Sequence, residues 1–132
     1  MGGRSVMDNR RTTPGIRIAP QVSQIFNNIS ASAQEDFCTQ VIGPLMTSGY
    51  GPELIETLEQ FLADNLNISQ AAKHLYLHRN TMLYRLAKIH KLTGLNPRSF
   101  EQALVLKLAL MAWKQRKEQA AGLSWRKKDH VG

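Results

Sequence analysis

A single cysteine, Cys38, stands in the 132 residues, so no disulfide can form within the chain. That fits a reducing cytoplasm, with Cys38 as a small core residue. The N-terminus lacks the apolar stretch of a secretory signal. The longest apolar run, Ala103 to Trp113, is interrupted by Lys107 and is too short to cross a bilayer. A soluble, cytoplasmic protein without a membrane partner is therefore expected. No segment alternates apolar and polar residues as a half-buried strand would, which leaves an all-α fold. Glycine-rich phosphate loops, a nucleophile elbow and a zinc-type HExxH are all missing, so no catalytic residues, cofactor or enzymatic activity are expected. His74 and His78 have i, i+4 spacing, but no thiol or carboxylate nearby in sequence completes a metal site.

What is present is positive charge. Lys and Arg number 17 against 10 Asp and Glu, a formal net charge of +7, which favours a polyanionic partner. The imbalance is local. Between Ser69 and Leu92 there are Lys73, Arg79, Arg85, Lys88 and Lys91 and no acidic residue.

The chain divides into three parts. Residues 1–29 carry Gly2, Gly3, Pro14, Gly15 and Pro20 among Arg4, Arg10, Arg11 and Arg17, and read as a flexible basic arm or a truncated upstream region. Residues 30–118 hold successive helical signals and form one small helical bundle. Residues 119–132, with Trp125, Arg126, Lys127 and Lys128, read as a disordered basic tail.

Within the bundle, Phe37, Val41, Ile42, Leu45 and Met46 mark a helix that Gly43-Pro44 is expected to break or kink. Pro52 suits the first turn of a second helix, whose apolar stripe is Leu54, Ile55, Leu58, Phe61 and Leu62. The polar face of that helix holds Glu53, Glu56, Glu59 and Asp64, and is expected to lie away from any phosphate backbone. Asn67 or Ser69 then caps a short helix containing the small pair Ala71-Ala72. After Tyr76-Leu77-His78 a longer helix runs from Arg79 to Leu92 and ends at Gly94 with Leu95 as its hydrophobic follower. A short helix, a tight turn and a second helix of this length form a helix-turn-helix. Ser99 and Gln102 have capping-box spacing for a last helix. Its run from Ala103 to Trp113 is apolar nearly all round, so it is covered by the first helices or pairs with a second copy.

On a helical wheel Met82, Leu86 and Ile89 point one way, toward Leu75 and Leu77. Asn80, Tyr84, Ala87 and Lys91 point the other way, flanked by Thr81 and Lys88. In a recognition helix the N-terminal residues of the outer face meet base edges, so Arg79, Asn80, Thr81 and Tyr84 are the base-contacting candidates. Lys73, His78, Arg85, Lys88 and Lys91 are the candidates for phosphate.

The segment His78-Arg79-Asn80-Thr81-Met82-Leu83-Tyr84-Arg85-Leu86, with the preceding Asn-x-Ser, the alanine pair and the later Leu92-Thr93-Gly94-Leu95, resembles the C-terminal helix-turn-helix of PucR/CdaR-type bacterial transcriptional regulators. Leu54 to Trp113 is similar throughout, and Val41-Ile42-Gly43-Pro44-Leu45 resembles the segment leading into that domain. The same region is more distantly similar to the DNA-binding end of Fis-type proteins. The resemblance implies a transcription regulator that binds double-stranded DNA as a homodimer. Such regulators have a sizeable sensory region upstream, and an effector ligand is not expected to bind this segment. Two other functions remain open at this point: a sequence-tolerant architectural DNA binder, and a helical module whose basic face meets an acidic protein.

Overall fold

The computed structural model describes the backbone of residues 19–131 and the side chains of residues 19–120. Among the described residues six helices follow one another: α1 (Pro20–Phe26), α2 (Ala31–Met46), α3 (Gly51–Ala63), α4 (Ile68–His74), α5 (Arg79–Thr93) and α6 (Phe100–Val131). No strand occurs among the described residues. The all-α fold expected from the absence of alternation is therefore observed.

Local chemistry explains most boundaries. Ser30 accepts a hydrogen bond from the Ala33 amide at 3.1 Å and caps α2, and Pro52 occupies the first turn of α3, where its missing N–H costs nothing. Asn67, rather than Ser69, caps α4 by accepting from the Gln70 amide at 2.9 Å. Gly94 ends α5 with φ +78°, the left-handed conformation that glycine adopts without strain. Its neighbour Leu95 tucks against the core.

At three boundaries the structure departs from the sequence reading. Gly43-Pro44 does not break α2, which continues to Met46. Pro44 lies in the last turn, where it forfeits one backbone bond, and Thr47 closes the end by donating to the Gly43 carbonyl through both its amide and its hydroxyl. Second, residues 20–29 of the expected arm are folded: α1 places Phe26 in the core. The buried Gln34 side chain donates to the carbonyls of Phe26 and Ile29, at 3.0 and 2.9 Å, satisfying groups that the end of α1 leaves free. Residues 1–18 of that arm lie outside the described residues. Third, α6 does not stop near residue 118 but continues through the expected tail, to Val131. Between Phe100 and Ala121 it contains neither glycine nor proline and is rich in strong helix formers. Past the core it is held by Lys114–Glu59 at 3.2 Å, Arg116–Glu35 at 3.1 Å, and Gln115 donating to Asn27 at 3.2 Å. The basic tail's own side chains beyond residue 120 lie outside the described residues.

One core joins all the helices. Ile42 and Leu45 of α2, Leu54, Leu58 and Phe61 of α3, Ala71 and Ala72 of α4, Met82, Leu86 and Ile89 of α5, and Leu106 and Leu110 of α6 are buried in it. The apolar run of α6 is covered from within the chain, since Ala103, Leu106, Ala109, Leu110, Met111 and Ala112 are all buried. Among the described side chains of α6, only Phe100, 74% exposed, and Leu104 are exposed large hydrophobics. The capping box expected at Ser99 is not formed as such: Gln102 reaches past Ser99 and accepts from the Asn96 amide at 2.6 Å. Cys38 is buried, and this burial pushes its thiol pKa up, with Arg116 opposing and Glu35 adding to the effect.

Candidate nucleic-acid interface

Helices α4 and α5 are joined by a tight turn in which Leu77 donates to the Ala72 carbonyl at 2.8 Å and Tyr76 to the Lys73 carbonyl at 3.1 Å. Ala71 and Ala72 are buried where the two helices approach, and larger side chains there would push them apart. The turn is made possible by Tyr76, whose φ is +57°. A tyrosine in that region is strained, because its Cβ crowds the following carbonyl. Its side chain, 96% exposed, gains nothing from packing in return. Tyr76→Gly is therefore expected to raise stability by about 1 kcal/mol, the relieved strain exceeding the added freedom of the unfolded chain. Urea unfolding measures this, and an equal or lower midpoint would rule the strain out.

Behind the turn, α4 is braced against the end of α3. Asp64 accepts from His74 Nδ1 at 2.9 Å and from Gln60 Nε2 at 3.0 Å. His74 thus has a structural partner just past the end of α3, and among the described residues no group of three or more His, Cys, Asp or Glu could hold a metal ion.

Helix α5 presents the two faces that its periodicity predicts. Met82, Leu86 and Ile89 are buried, whereas Arg79, Asn80, Tyr84, Ala87 and Lys91 are exposed. Thr81 and Lys88 are half-buried on the flanks, and Lys73 and His78 are exposed on α4 and in the turn. Arg79, the first residue of α5, donates through Nη1 to Ser69 Oγ of α4 at 3.1 Å. This contact holds one edge of the guanidinium and leaves donors on the other edge free.

Arg85 is placed differently from the other candidates. It donates through Nη1 to Thr57 Oγ1 at 3.2 Å and through Nη2 to Glu53 Oε2 at 3.1 Å, and its side chain is only 19% exposed. On the helical wheel it lies about 60° from Met82, toward α3 rather than toward the outer face. Thr57 is itself fully buried and donates to the Glu53 carbonyl at 2.8 Å, so Arg85, Thr57 and Glu53 form one linked set. The acidic face of α3 therefore touches α5 at Glu53, where the charge of Arg85 meets it.

Lys88 also has company that its position in the sequence does not suggest. Its Nζ lies 3.8 Å from the ring centroid of Tyr50 and 5.6 Å from that of Tyr84, and it donates to Tyr84 Oη at 3.5 Å. Tyr50 belongs to the turn between α2 and α3, far from α5 in sequence. Read along the chain, Ser48-Gly49-Tyr50-Gly51 is punctuation, and neither periodicity nor charge marks Tyr50 as a neighbour of α5. Ser69 likewise reads as a capping residue, and its contact with Arg79 needs the fold.

With the geometry in place, comparison with known proteins locates the domain. Residues 54–112 match the family model described as the PucR C-terminal helix-turn-helix domain. The chain is 44% identical over 57 residues to the purine catabolism regulatory protein of Bacillus subtilis, covering 43% of this chain and 11% of that protein. It is 30% identical over 101 residues to the uncharacterized protein YsfB of the same organism, covering 76% of this chain and 27% of YsfB. To the carbohydrate diacid regulator of Escherichia coli it is 29% identical over 92 residues, covering 70% of this chain and 24% of the regulator. The chain thus spans about a quarter or less of the length of these relatives.

Proposed function

We propose that this chain, whose residues 54–112 are a PucR-type C-terminal helix-turn-helix domain, is the sequence-specific DNA-binding part of a transcription regulator that reads the major groove with the outer face of α5. The observation that carries this reading is the division of that helix: its inner face is closed into the core by Met82, Leu86 and Ile89, and its outer face is open and free of acidic residues. Arg79 suits guanine O6 and N7, Asn80 suits adenine N6 and N7, and Thr81 and Tyr84 offer hydroxyl groups to base edges. Lys73, His78, Lys88 and Lys91 flank this face and meet phosphates, which orient the domain without specifying sequence. Arg85, a phosphate candidate by its charge, in this reading holds α5 against α3 through Glu53 and Thr57.

The chain acts without enzymatic chemistry in this reading, as a homodimer in the cytoplasm, and does not itself bind the effector. The apolar run of α6 does not carry the dimer, because most of it faces the chain's own core.

Retardation of a duplex carrying the promoter upstream of its own gene, in excess random duplex, tests the proposal. A retained complex that weakens steeply with salt is the expected result. Equal competition by random duplex would instead make the chain a sequence-tolerant architectural binder. A folded domain that retains no duplex at moderate salt would sink the DNA reading and favour an acidic protein partner.

A further inference from the structure

We infer that Tyr50, which lies outside the segment matched to the helix-turn-helix family, is a positioning residue of the DNA-binding surface: its ring holds the Lys88 ammonium where that ammonium meets phosphate. The inference rests on the DNA reading of α5 and adds a side chain from another element to it.

The argument begins with Lys88 itself. A lysine has a flexible four-carbon stem, and ordering it against phosphate forfeits rotamer freedom that a pre-placed side chain has already given up. In the free protein Lys88 is half-buried and its Nζ sits 3.8 Å from the Tyr50 centroid, well within the range at which a ring face attracts a cation. Tyr84 is also beside it, its ring centroid 5.6 Å away and its hydroxyl accepting from Nζ at 3.5 Å. The ammonium is thereby held beside a residue of the base-contacting face.

Tyr50 is able to serve as a fixed platform. Its backbone is tied down on both sides, the amide donating to Ser48 Oγ at 3.2 Å and the carbonyl accepting from the Leu54 amide at 3.0 Å in the first turn of α3. The ring is half exposed, so packing leaves one part of it against Lys88 and another facing solvent. An ammonium uses three donors. The Tyr50 face takes none of them in a directional hydrogen bond, and Tyr84 accepts one, which leaves donors for a phosphate oxygen. The geometry therefore orders the side chain without saturating it.

The test uses Tyr50→Leu, which keeps apolar bulk and removes the ring, and Tyr50→Phe, which keeps the ring and removes the hydroxyl. Tyr50→Leu is expected to weaken specific and random duplexes alike by about twofold to fivefold, because the Lys88 side chain must then be ordered on binding. Its salt dependence should fall toward that of Lys88→Ala. The double variant Tyr50→Leu/Lys88→Ala should bind as Lys88→Ala does, and Tyr50→Phe as the unsubstituted protein does. Without DNA, the Lys88 side-chain protons should show ring-current shielding that Tyr50→Leu abolishes.

Unchanged binding by Tyr50→Leu, or losses that simply add in the double variant, would overturn the inference while leaving the DNA reading intact. A Tyr50→Phe as weak as Tyr50→Leu would also overturn it, because the hydroxyl and not the ring would then be responsible. Failure of the unsubstituted protein to bind any duplex would remove the DNA reading and this inference together. Matching unfolding midpoints for the variants exclude a general loss of fold.

Discussion

Leu86→Ala is expected to lower the stability of the domain by about 2–5 kcal/mol. Leu86 is 2% exposed and lies on the inner face of α5 between the buried Met82 and Ile89. Helix α5 packs against α2, α3 and α4 at once, so the surrounding side chains are pinned from several directions and have little room to collapse into the space left behind. Limited relaxation is what moves such a substitution toward the upper end of the range. A domain of this size is stable by about 5–15 kcal/mol in total, so the variant approaches the limit of folding at physiological temperature. Urea unfolding measures the loss, and a change under about 1 kcal/mol would mean that α5 is not anchored as described. The fraction that remains folded should keep its preference among DNA sequences, because Leu86 presents nothing to the outer face.

Arg79→Ala is expected to act in the opposite way. Stability should change little, since the Arg79 side chain is exposed and its one contact is with an exposed serine. Affinity for the specific site should fall by about 1–3 kcal/mol, with the loss concentrated at one base pair and other positions unaffected. Lys91→Ala is the contrast. It should weaken every duplex to a similar extent and lower the slope of log K against log salt by about one unit. Binding measured over a panel of single-base variants and several salt concentrations separates the two patterns. If both variants behaved alike over the panel, the division of α5 into a reading part and an orienting part would be wrong. The Ser69 contact bears on the size of the effect. A guanidinium already held along one edge loses less freedom on reaching a base, and its removal is felt more.

The parts of this arrangement that were legible in the sequence are those governed by short spacings. Met82, Leu86 and Ile89 recur at helical intervals, and the structure buries all three. Asn67 and Gly94 act within a few residues of their own positions, Asn67 opening α4 and Gly94 closing α5 as their chemistry dictates. Contacts between distant residues were not legible. Arg85 reads as one more cation on a basic helix until Thr57 and Glu53, 28 and 32 residues away in the chain, are seen beside it. Tyr50 carries no periodic signal, so only the fold brings it to Lys88. The short helix α1 fell between the two cases. Pro20 looked like a breaker but opens a helix, and a single anchor, Phe26, is too little pattern to reveal seven ordered residues. Pro44 marks the same limit: a proline costs α2 one backbone bond, and local pattern does not show that packing carries the helix on to Met46.

The packing of α2 against α6 has a consequence for how the molecule is assembled. These two helices make the most extensive contact in the structure, yet the whole helix-turn-helix lies between them in the chain. The neighbours α4 and α5 can meet through a loop of a few residues, and such closures are quick. Joining α2 to α6 means closing a loop that contains α3, α4 and α5, which is slower and entropically more demanding. During synthesis, the face of α2 that packs on α6 therefore waits uncovered until α6 has been made. The α4–α5 pair is early and local, whereas the clasp that makes it part of one cooperative domain is late. The unit that folds together is correspondingly larger than the matched segment 54–112, because α2 lies wholly upstream of it.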